Sequence, residues 1–243
     1  MSKISLNIMQ NPHAYSKIEQ AAIYKVIAER RDMRHFLPTP VAPEILARIL
    51  AAAHQAPSVG LMQPWRFIRI TDVSLRKAIH NLVDDERIKT AQAIAEVENT
   101  TTGFDTKSAE FLRLKVEGIL ECGELLIVSL CDKREQHVFG RRTLPEMDIA
   151  SVSCAIQNMW LAARAEGLGM GWVSIFDPLK LAELLNIPAD AKPIAVLCLG
   201  HVESFYKEPM LIETGWAVEK PLNEMLMENT WKDIWEDICE STE

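Results

Sequence analysis

The segment 148–165 constrains the fold more than any other part of the chain, because almost all of its surface is apolar or small. One side carries apolar residues at helical spacing: Ile149, Val152, Ile156, Met159, Trp160 and Ala163. The other side includes the small residues Ser151, Ala155 and Ala162. A helix of this kind is buried nearly all round. The pattern predicts a central helix that ends at Gly167, a residue type favoured just after a helix.

Shorter patterns predict the elements around this helix. Helical period runs from Ser16 to the arginines that begin at Arg30, and again from Pro43 until just before Ala56. A further helix is predicted from Asp72 to Leu82. Short apolar runs predict strands at 67–70, 125–130, 172–176 and 194–199. We therefore predict an α+β fold in which a central mixed sheet is flanked by helices.

Length and charge exclude several classes of protein. At 243 residues, the chain is long enough for one sizeable domain with an appendage. Its formal net charge of −8 argues against a nucleic-acid partner, which needs a basic face. No apolar run reaches the roughly 18 residues of a membrane span, and no signal peptide is recognisable at the N-terminus. We expect a cytoplasmic protein without membrane association.

Cysteine and histidine usage predicts reduced thiols and no metal site. The six histidines form no cluster with ligand spacing, and the five cysteines include no CxxC pair. Several cysteines lie in apolar runs, as buried thiols in a reducing compartment do. The cysteines are Cys122, Cys131, Cys154, Cys198 and Cys239.

The stretch RRDMR at 30–34 predicts a phosphate site. It places the guanidinium groups of Arg30, Arg31 and Arg34 around one carboxylate, that of Asp32. Guanidinium groups suit bidentate phosphate binding, and three of them so close together repel one another unless an anion is near. The alternative interpretation is a solvated basic patch at the end of a helix, where cations complement the helix dipole.

Three other segments carry weaker predictions. The segment 57–65 contains Pro57, Gly60 and Pro64 and is a loop, which could cradle a flat ligand or simply connect a helix to a strand. Residues 84–118 are charged and threonine-rich, which fits either a mobile lid or an exposed helical excursion. Residues 201–243 place Trp216, Trp231 and Trp235 in an acidic background, so we predict a C-terminal arm that embraces a second subunit.

These segments also define the predicted organisation of the chain. Residues 1–15 form a leader, residues 16–200 form the main domain with 84–118 as its candidate lid, and residues 201–243 form the C-terminal extension.

Five sequence segments, taken in order, resemble the nitroreductase family of FMN-binding dimers. They are RRDMR at 30–34, AAHQAPSVGLMQPW at 52–65, the GRR and PEMD residues of 140–148, QNMWLAARAEGLGMGWVSIF at 157–176 and LCLG at 197–200. They span nearly the whole chain beyond the leader. The resemblance implies the nitroreductase-like FMN-binding fold and a homodimer.

Within this family, the likeness is closer to the flavin-fragmenting members. Ordinary nitroreductases usually have serine where this chain has Asp32, and asparagine where it has Leu61. The flavin-fragmenting members more often have an aromatic residue at the second position. The resemblance implies that reduced FMN is bound as the substrate and O2 as the co-substrate. The implied products are erythrose 4-phosphate and 5,6-dimethylbenzimidazole, the lower ligand of cobalamin (vitamin B12).

The resemblance also implies residue roles. The cofactor-binding set is Arg30, Arg31, Asp32, Met33, Arg34, Ser58, Leu61, Met170 and Gly171. The arginines would bind the phosphate and the ring edge, without a distinction among the three. The loop that begins at Ser58 would line one side of the flavin, and the backbone amides at 170–171 would lie near the ring nitrogens.

Asp32 and Ser174 match the catalytic pair of these relatives. Asp32 would serve as a base or proton shuttle near the ribityl chain, and the Ser174 hydroxyl would hold an oxygen atom of the reactants. The alternative for Ser174 is a strand hydroxyl that bonds only to backbone. Two other functions stay open at this point, an NAD(P)H-dependent nitroreductase or flavin reductase and a non-catalytic FMN carrier. A separate flavin reductase that uses NAD(P)H is compatible with the sequence.

Overall fold

The computed structural model describes residues 11–101 and 107–235, which belong to two compact units. The first unit extends to Phe205 and the second begins at Tyr206. The helices of the first unit are α1 (Lys17–Glu29), α2 (Pro43–His54), α3 (Val73–Thr101), α4 (Lys107–Arg113), α5 (Met147–Ala165) and α6 (Pro178–Leu184). Its strands are β1 (Trp65–Ile70), β2 (Glu124–Leu130), β3 (Gly169–Val173) and β4 (Lys192–Gly200).

The strands form one sheet in the order β1-β2-β4-β3, and each neighbouring pair is antiparallel. Beyond β3, Asp32 makes a parallel bridge to Met170, and the Met33 amide donates to the Met170 carbonyl at 3.0 Å. The segment that contains the arginines therefore lies along the edge of β3 that β4 leaves uncovered. This bridge lies outside the four strands of the sheet, which are all antiparallel. The predicted α+β fold is confirmed, and the prediction of a mixed sheet is wrong.

Helix α5 lies where the sequence predicts the central helix, but it is not buried nearly all round, because Ala150, Cys154 and Gln157 are exposed on one of its faces. It packs on α2 and on strands β1, β2 and β3. Ser151 and Ala155, from its small side, are buried as completely as the apolar residues Val152 and Ile156. Ile149, in the first turn of the helix, is exposed, contrary to the expectation for that position.

Strand β3 differs from its predicted position. It begins at Gly169 and ends at Val173, whereas the prediction began at residue 172 and ran to residue 176. A Cβ atom on Gly171 would overlap the carbonyl oxygen of Met33, so glycine here is a requirement of close backbone approach. Gly169 and Gly171, which precede the predicted strand, are therefore part of β3.

Helix α3 begins as predicted but is much longer. Asp72 caps it, because its Oδ1 accepts a hydrogen bond from the Leu75 amide at 2.7 Å. The helix then continues to Thr101, and α4 packs against it. Arg87 ties the two together by donating to the Leu112 carbonyl at 2.9 Å. The candidate lid at 84–118 thus lies in α3, in α4 and in the chain that follows α4, with residues 102–106 outside the described residues.

The second unit contains α7 (Met210–Glu213), a short 3-10 helix at Leu222–Met225 and a bridge between Met227 and Ile234. Trp231 is exposed. Residues 1–10 of the predicted leader lie outside the described residues. Residues 236–243 of the extension, including Cys239, lie outside them as well. Within the described part of the chain, no helix combines the length and apolar composition that a membrane span requires.

Candidate functional site

The arginine stretch begins where α1 ends. Ser16 and Glu19 form a reciprocal capping box that starts α1, and the helix ends at Glu29, as predicted. Arg30 has an extended backbone, with φ −61° and ψ 134°, which directs the following residues along the edge of β3. The change from helix to extended chain therefore places the arginines and Asp32 beside the sheet.

Asp32 and Arg34 together bind the exposed backbone edge of β3. Asp32 Oδ1 accepts a hydrogen bond from the Trp172 amide at 2.9 Å, and Oδ2 accepts one from Arg34 Nη2. The same Arg34 nitrogen donates to the Trp172 carbonyl at 3.0 Å. The Arg34 side chain is 11% exposed, so it serves the Asp32 carboxylate from inside the protein. Of the three arginines, this one pairs with the carboxylate.

The environment of Asp32 disfavours its ionised form. Burial raises the pKa of this carboxyl group, although Arg34, the Trp172 amide and the more distant Arg30 each act to lower it. The carboxyl is nevertheless reachable, because 41% of its side-chain surface is exposed. A carboxyl group with a raised pKa that a ligand can contact is suited to proton transfer.

The other two arginines take different positions. Arg30 stacks on Trp160, with its guanidinium carbon 4.6 Å from the centre of the ring. Arg31 folds back on the end of α1, where Nη1 donates to the carbonyls of Ala28 at 2.6 Å and Arg30 at 2.8 Å. Nothing in the sequence distinguished the three arginines, whereas in the structure each of them has different contacts.

Three residues of the predicted cofactor-binding set lie in the core or in the sheet. Met33 and Met170 are almost completely buried, and their backbones are hydrogen-bonded to each other. Gly171 lies inside β3 and is paired with β4. The Met33 side chain is buried, so Met33 could contact a cofactor only through its backbone, and its place in the cofactor-binding set stays a prediction. The amide contacts expected from 170–171 stay a prediction.

The loop after α2 has a strained backbone. Gly60, Leu61 and Gln63 all have positive φ angles, of 52°, 52° and 47°. The left-handed conformation costs an ordinary residue about 1–2 kcal/mol, and such strain concentrates at binding sites. Leu61 is 79% exposed, so its apolar side chain is available to contact a ligand or another protein surface.

Two serines hold this loop in place. The Gln63 amide donates to Ser58 Oγ at 3.1 Å, and the Val59 amide donates to Ser151 Oγ at 3.0 Å. Ser58, from the predicted set, thus closes the loop on itself. Ser151 anchors the loop to α5, a contact that sequence reasoning missed, although its small size had placed it on the buried helix.

Sequence reasoning also missed a buried ion network beside the loop. Asp148 Oδ2 accepts hydrogen bonds from Arg134 Nε and Arg141 Nη2, both at 3.0 Å. Asp148 and Arg141 are buried, so each depends on the other for compensation of its charge. The network holds the chain at 139–140 against Gly60 and Val59. The only sequence signal was the GRR and PEMD motif, to which no role had been given.

Ser174 lies one residue beyond the end of β3 and is exposed. The interpretation as a hydroxyl inside a strand is therefore wrong. Ser174 follows Trp172, the residue whose backbone binds Asp32 and Arg34, by two positions. Along the chain, Ser174 thus lies close to the residue whose amide binds Asp32.

Among residues 11–101 and 107–235, His, Cys, Asp and Glu side chains form no group of three that could bind a metal ion. The groups that the structure assembles at the edge of β3 are the guanidinium groups of Arg30 and Arg34 and the carboxyl of Asp32. Guanidinium groups suit an anionic ligand. The loop that begins at Ser58 is held at the start of α5, by Ser151, whereas the arginine stretch is held near the end of α5, by Trp160.

Comparison with known proteins gives consistent results. The model of the nitroreductase family matches residues 27–201. A 5,6-dimethylbenzimidazole synthase of Rhodospirillum rubrum is 40% identical over 195 residues, which cover 79% of this chain and 87% of that protein. A second, from Rhodobacter capsulatus, is 33% identical over 208 residues, with coverage of 85% and 96%.

A solved structure supports the fold independently. The BluB-like flavoprotein of Clostridium difficile superposes with a TM-score of 0.64 at 18% identity, over 86% of this chain and 99% of that one. At this identity the likeness concerns the fold alone.

Proposed function

The chain belongs to the nitroreductase family, and we propose from this premise that it fragments reduced FMN with O2 into 5,6-dimethylbenzimidazole and erythrose 4-phosphate. The observation that carries the proposal is the Asp32 carboxyl, held at the edge of β3 by Arg34 and the Trp172 amide, with a raised pKa. Relatives that are 40% and 33% identical to this chain bear the name of this synthase. The product would supply the lower ligand of cobalamin.

The proposed FMN site uses the arginines unequally. Arg30 is the best placed to bind the phosphate, because its face lies on Trp160 and cation–π stacking leaves the in-plane N–H groups for an anion. Arg31 is engaged with backbone carbonyls, and Arg34 with Asp32. The loop with Ser58 and Leu61 would supply an apolar surface for the ring system. These residues fit the phosphate and the flat ring of FMN.

Reduced FMN would supply both the electrons and the atoms of the product, with O2 as the oxidant. Asp32 would exchange a proton, since its raised pKa brings the two protonation states closer to balance near neutral pH. Arg34 and the Trp172 amide fix the orientation of the carboxyl. The exposed Ser174 hydroxyl would hold an oxygen atom of the reactants by a hydrogen bond.

Reconstitution with chemically reduced FMN tests this proposal directly. The protein is loaded with reduced FMN under nitrogen, air is admitted, and the small molecules are analysed by mass spectrometry. We expect 5,6-dimethylbenzimidazole and erythrose 4-phosphate in equal amounts. A sample that never receives air, and one loaded with oxidised FMN without reductant, are the controls. Recovery of intact oxidised FMN alone would refute the synthase function. Supply of reduced FMN by a separate NAD(P)H-dependent reductase can be tested in the same assay.

We also propose a homodimer, because α1 exposes apolar residues along its length. Not one residue of α1 is buried, Ile18 is 83% exposed, and Tyr24 is exposed as well. Apolar surface of this kind is usually covered by another protein surface. Residues 201–243 would contribute an arm to the contact, since Trp231 is exposed too.

Sedimentation at micromolar concentration is expected to give twice the 27.4 kDa mass of one chain. A double substitution, Ile18→Glu with Tyr24→Glu, should shift the protein to the monomer, because it places charge in the apolar contact. Lys17→Glu is the control, since it changes the net charge by the same two units as the double substitution but leaves the apolar residues in place. A wild-type monomer at these concentrations would contradict the proposal.

The remaining proposals concern the lid and the compartment. Residues 84–118 would cover the site and keep bulk water from the reduced flavin, as closing segments do in other enzymes. Cys122, Cys131 and Cys198 are buried, free thiols, which fits a reducing compartment such as the cytoplasm.

A further inference from the structure

We propose that Trp160 is a positioning residue that holds Arg30 in place for the phosphate of FMN. The inference deepens the proposed function and rests on it, because it takes the FMN site as given. It assigns a role to a side chain that the sequence pattern explained only as part of the apolar side of α5.

Trp160 contacts two consecutive residues of the arginine stretch in two different ways. The face of its indole lies under the Arg30 guanidinium, at 4.6 Å from ring centre to guanidinium carbon. Its Nε1 donates a hydrogen bond to the Arg31 carbonyl at 3.1 Å. A cation within about 6 Å of a tryptophan ring centre is attracted to it, and the attraction grows when water is excluded. Trp160 is buried, so the contact is shielded from solvent.

A second side chain of α5 holds the end of α1 one turn further along. Arg164 Nη2 donates to Glu29 Oε2 at 2.5 Å, and Arg164 Nε donates to the Glu29 carbonyl at 3.3 Å. Residues four apart lie on the same face of a helix. The place of Arg30 is therefore set by α5 as well as by α1, where its amide donates to the Val26 carbonyl at 3.1 Å. Since α1 buries none of its own residues, α5 connects this end of α1 to the core.

The same indole also faces the proton-transfer side of the site. Its ring lies 6.3 Å from the ring of Trp172, centre to centre, with an angle of 48° between the planes. The backbone of Trp172 is bound by Asp32 and Arg34. Trp160 thus lies between the proposed phosphate ligand, Arg30, and the residue whose backbone orients Asp32.

The affinities for two related ligands distinguish this role of Trp160 from that of an ordinary core tryptophan. Loss of an ordinary core residue lowers the affinity for every ligand of the site, because the whole site becomes less well ordered. Loss of a residue that positions Arg30 lowers the affinity only for a ligand that has a phosphate. FMN and riboflavin share the ring and the ribityl chain and differ in the phosphate, so their affinities separate the two roles.

Fluorinated tryptophan at position 160 provides a test that keeps the shape of the core. Fluorine withdraws electron density from the ring and weakens the cation–π attraction without removing the indole. We expect the affinity for oxidised FMN, measured by flavin fluorescence, to fall stepwise with the number of fluorines, by about 3- to 10-fold in total. The affinity for riboflavin should stay unchanged. Equal losses for both flavins, or no loss for either, would overturn the inference.

Two variants make the outcome specific to Trp160. Trp160→Phe keeps an aromatic face and should retain more than half of the preference for FMN over riboflavin, whereas Trp160→Leu should lose most of it. In an Arg30→Met background, Trp160→Leu should have no additional effect on that preference. If Arg30→Met itself leaves the preference intact, the proposed phosphate site fails. If Arg30→Met removes the preference while Trp160→Leu and the fluorinated series do not, only the positioning role fails.

Discussion

Replacement of Asp32 by asparagine is expected to lower the rate of product formation by roughly 10²- to 10⁴-fold, the usual contribution of a general acid–base group. Asparagine has nearly the same shape, and its oxygen can still accept the Trp172 amide hydrogen bond. It cannot take up a proton, and its amide group gives Arg34 no negative charge to bind. FMN affinity should be largely retained, because the Trp172 amide hydrogen bond still holds residue 32 at the edge of β3. Single-turnover formation of 5,6-dimethylbenzimidazole and flavin fluorescence titration measure the two effects separately.

The pH dependence gives this prediction a second readout. Asp32 can act as a base only when it is ionised, and burial raises its pKa above the ordinary aspartate value. The wild-type rate should therefore fall as the pH decreases through that raised pKa, and this acid limb should be absent from the residual activity of the asparagine variant. Glu166→Gln is the matched control, because it neutralises a carboxylate that pairs with Arg48 at the surface. If turnover is unchanged in the Asp32→Asn variant, Asp32 is not the proton-transfer group of the reaction.

The parts of the fold that the sequence predicts are those set by local pattern. Period and small-residue content identified α5, and apolar runs identified β1, β2 and β4. The start of β3 was missed because its glycines resemble a turn, and only the approach of Met33 explains them. The length of α3 was missed because its many charged and threonine residues obscure the helical spacing of the apolar residues. Its contact with α4 could not be predicted, because it has no signature in the local sequence.

The site divides in the same way. The types of its residues are visible in the sequence, because three arginines and an aspartate so close together indicate an anion site. The division of labour among the arginines is not visible, since it depends on Trp160 and Trp172, more than 100 residues away in the chain. The Arg134, Asp148 and Arg141 network was missed for the same reason, since burial decides whether charged residues pair or meet solvent.

Replacement of Gly171 by alanine is expected to destroy FMN binding without unfolding the protein. The new Cβ would overlap the Met33 carbonyl oxygen and lie 2.8 Å from Arg34 Nη1. Neither group can rotate away, because the Met33 amide is bonded to Met170 and Arg34 is bonded to Asp32 and Trp172. The segment with Arg30 and Asp32 must therefore move away from β3. A shift of about 1 Å in a reacting group can cost roughly 100-fold in rate.

Calorimetry, FMN titration and single-turnover assays separate the expected effects. Overpacking should cost about 1–3 kcal/mol of stability, which leaves a folded protein with at least about 100-fold less product formation. Gly169→Ala is the matched control on the same strand and the same face, because its Cβ would meet the side chains of Val202 and Met33 rather than a backbone carbonyl. That variant should lose stability to a similar degree and keep its FMN affinity. If both glycine variants bind FMN like the wild type, the contact between the arginine stretch and β3 does not set the geometry of the site.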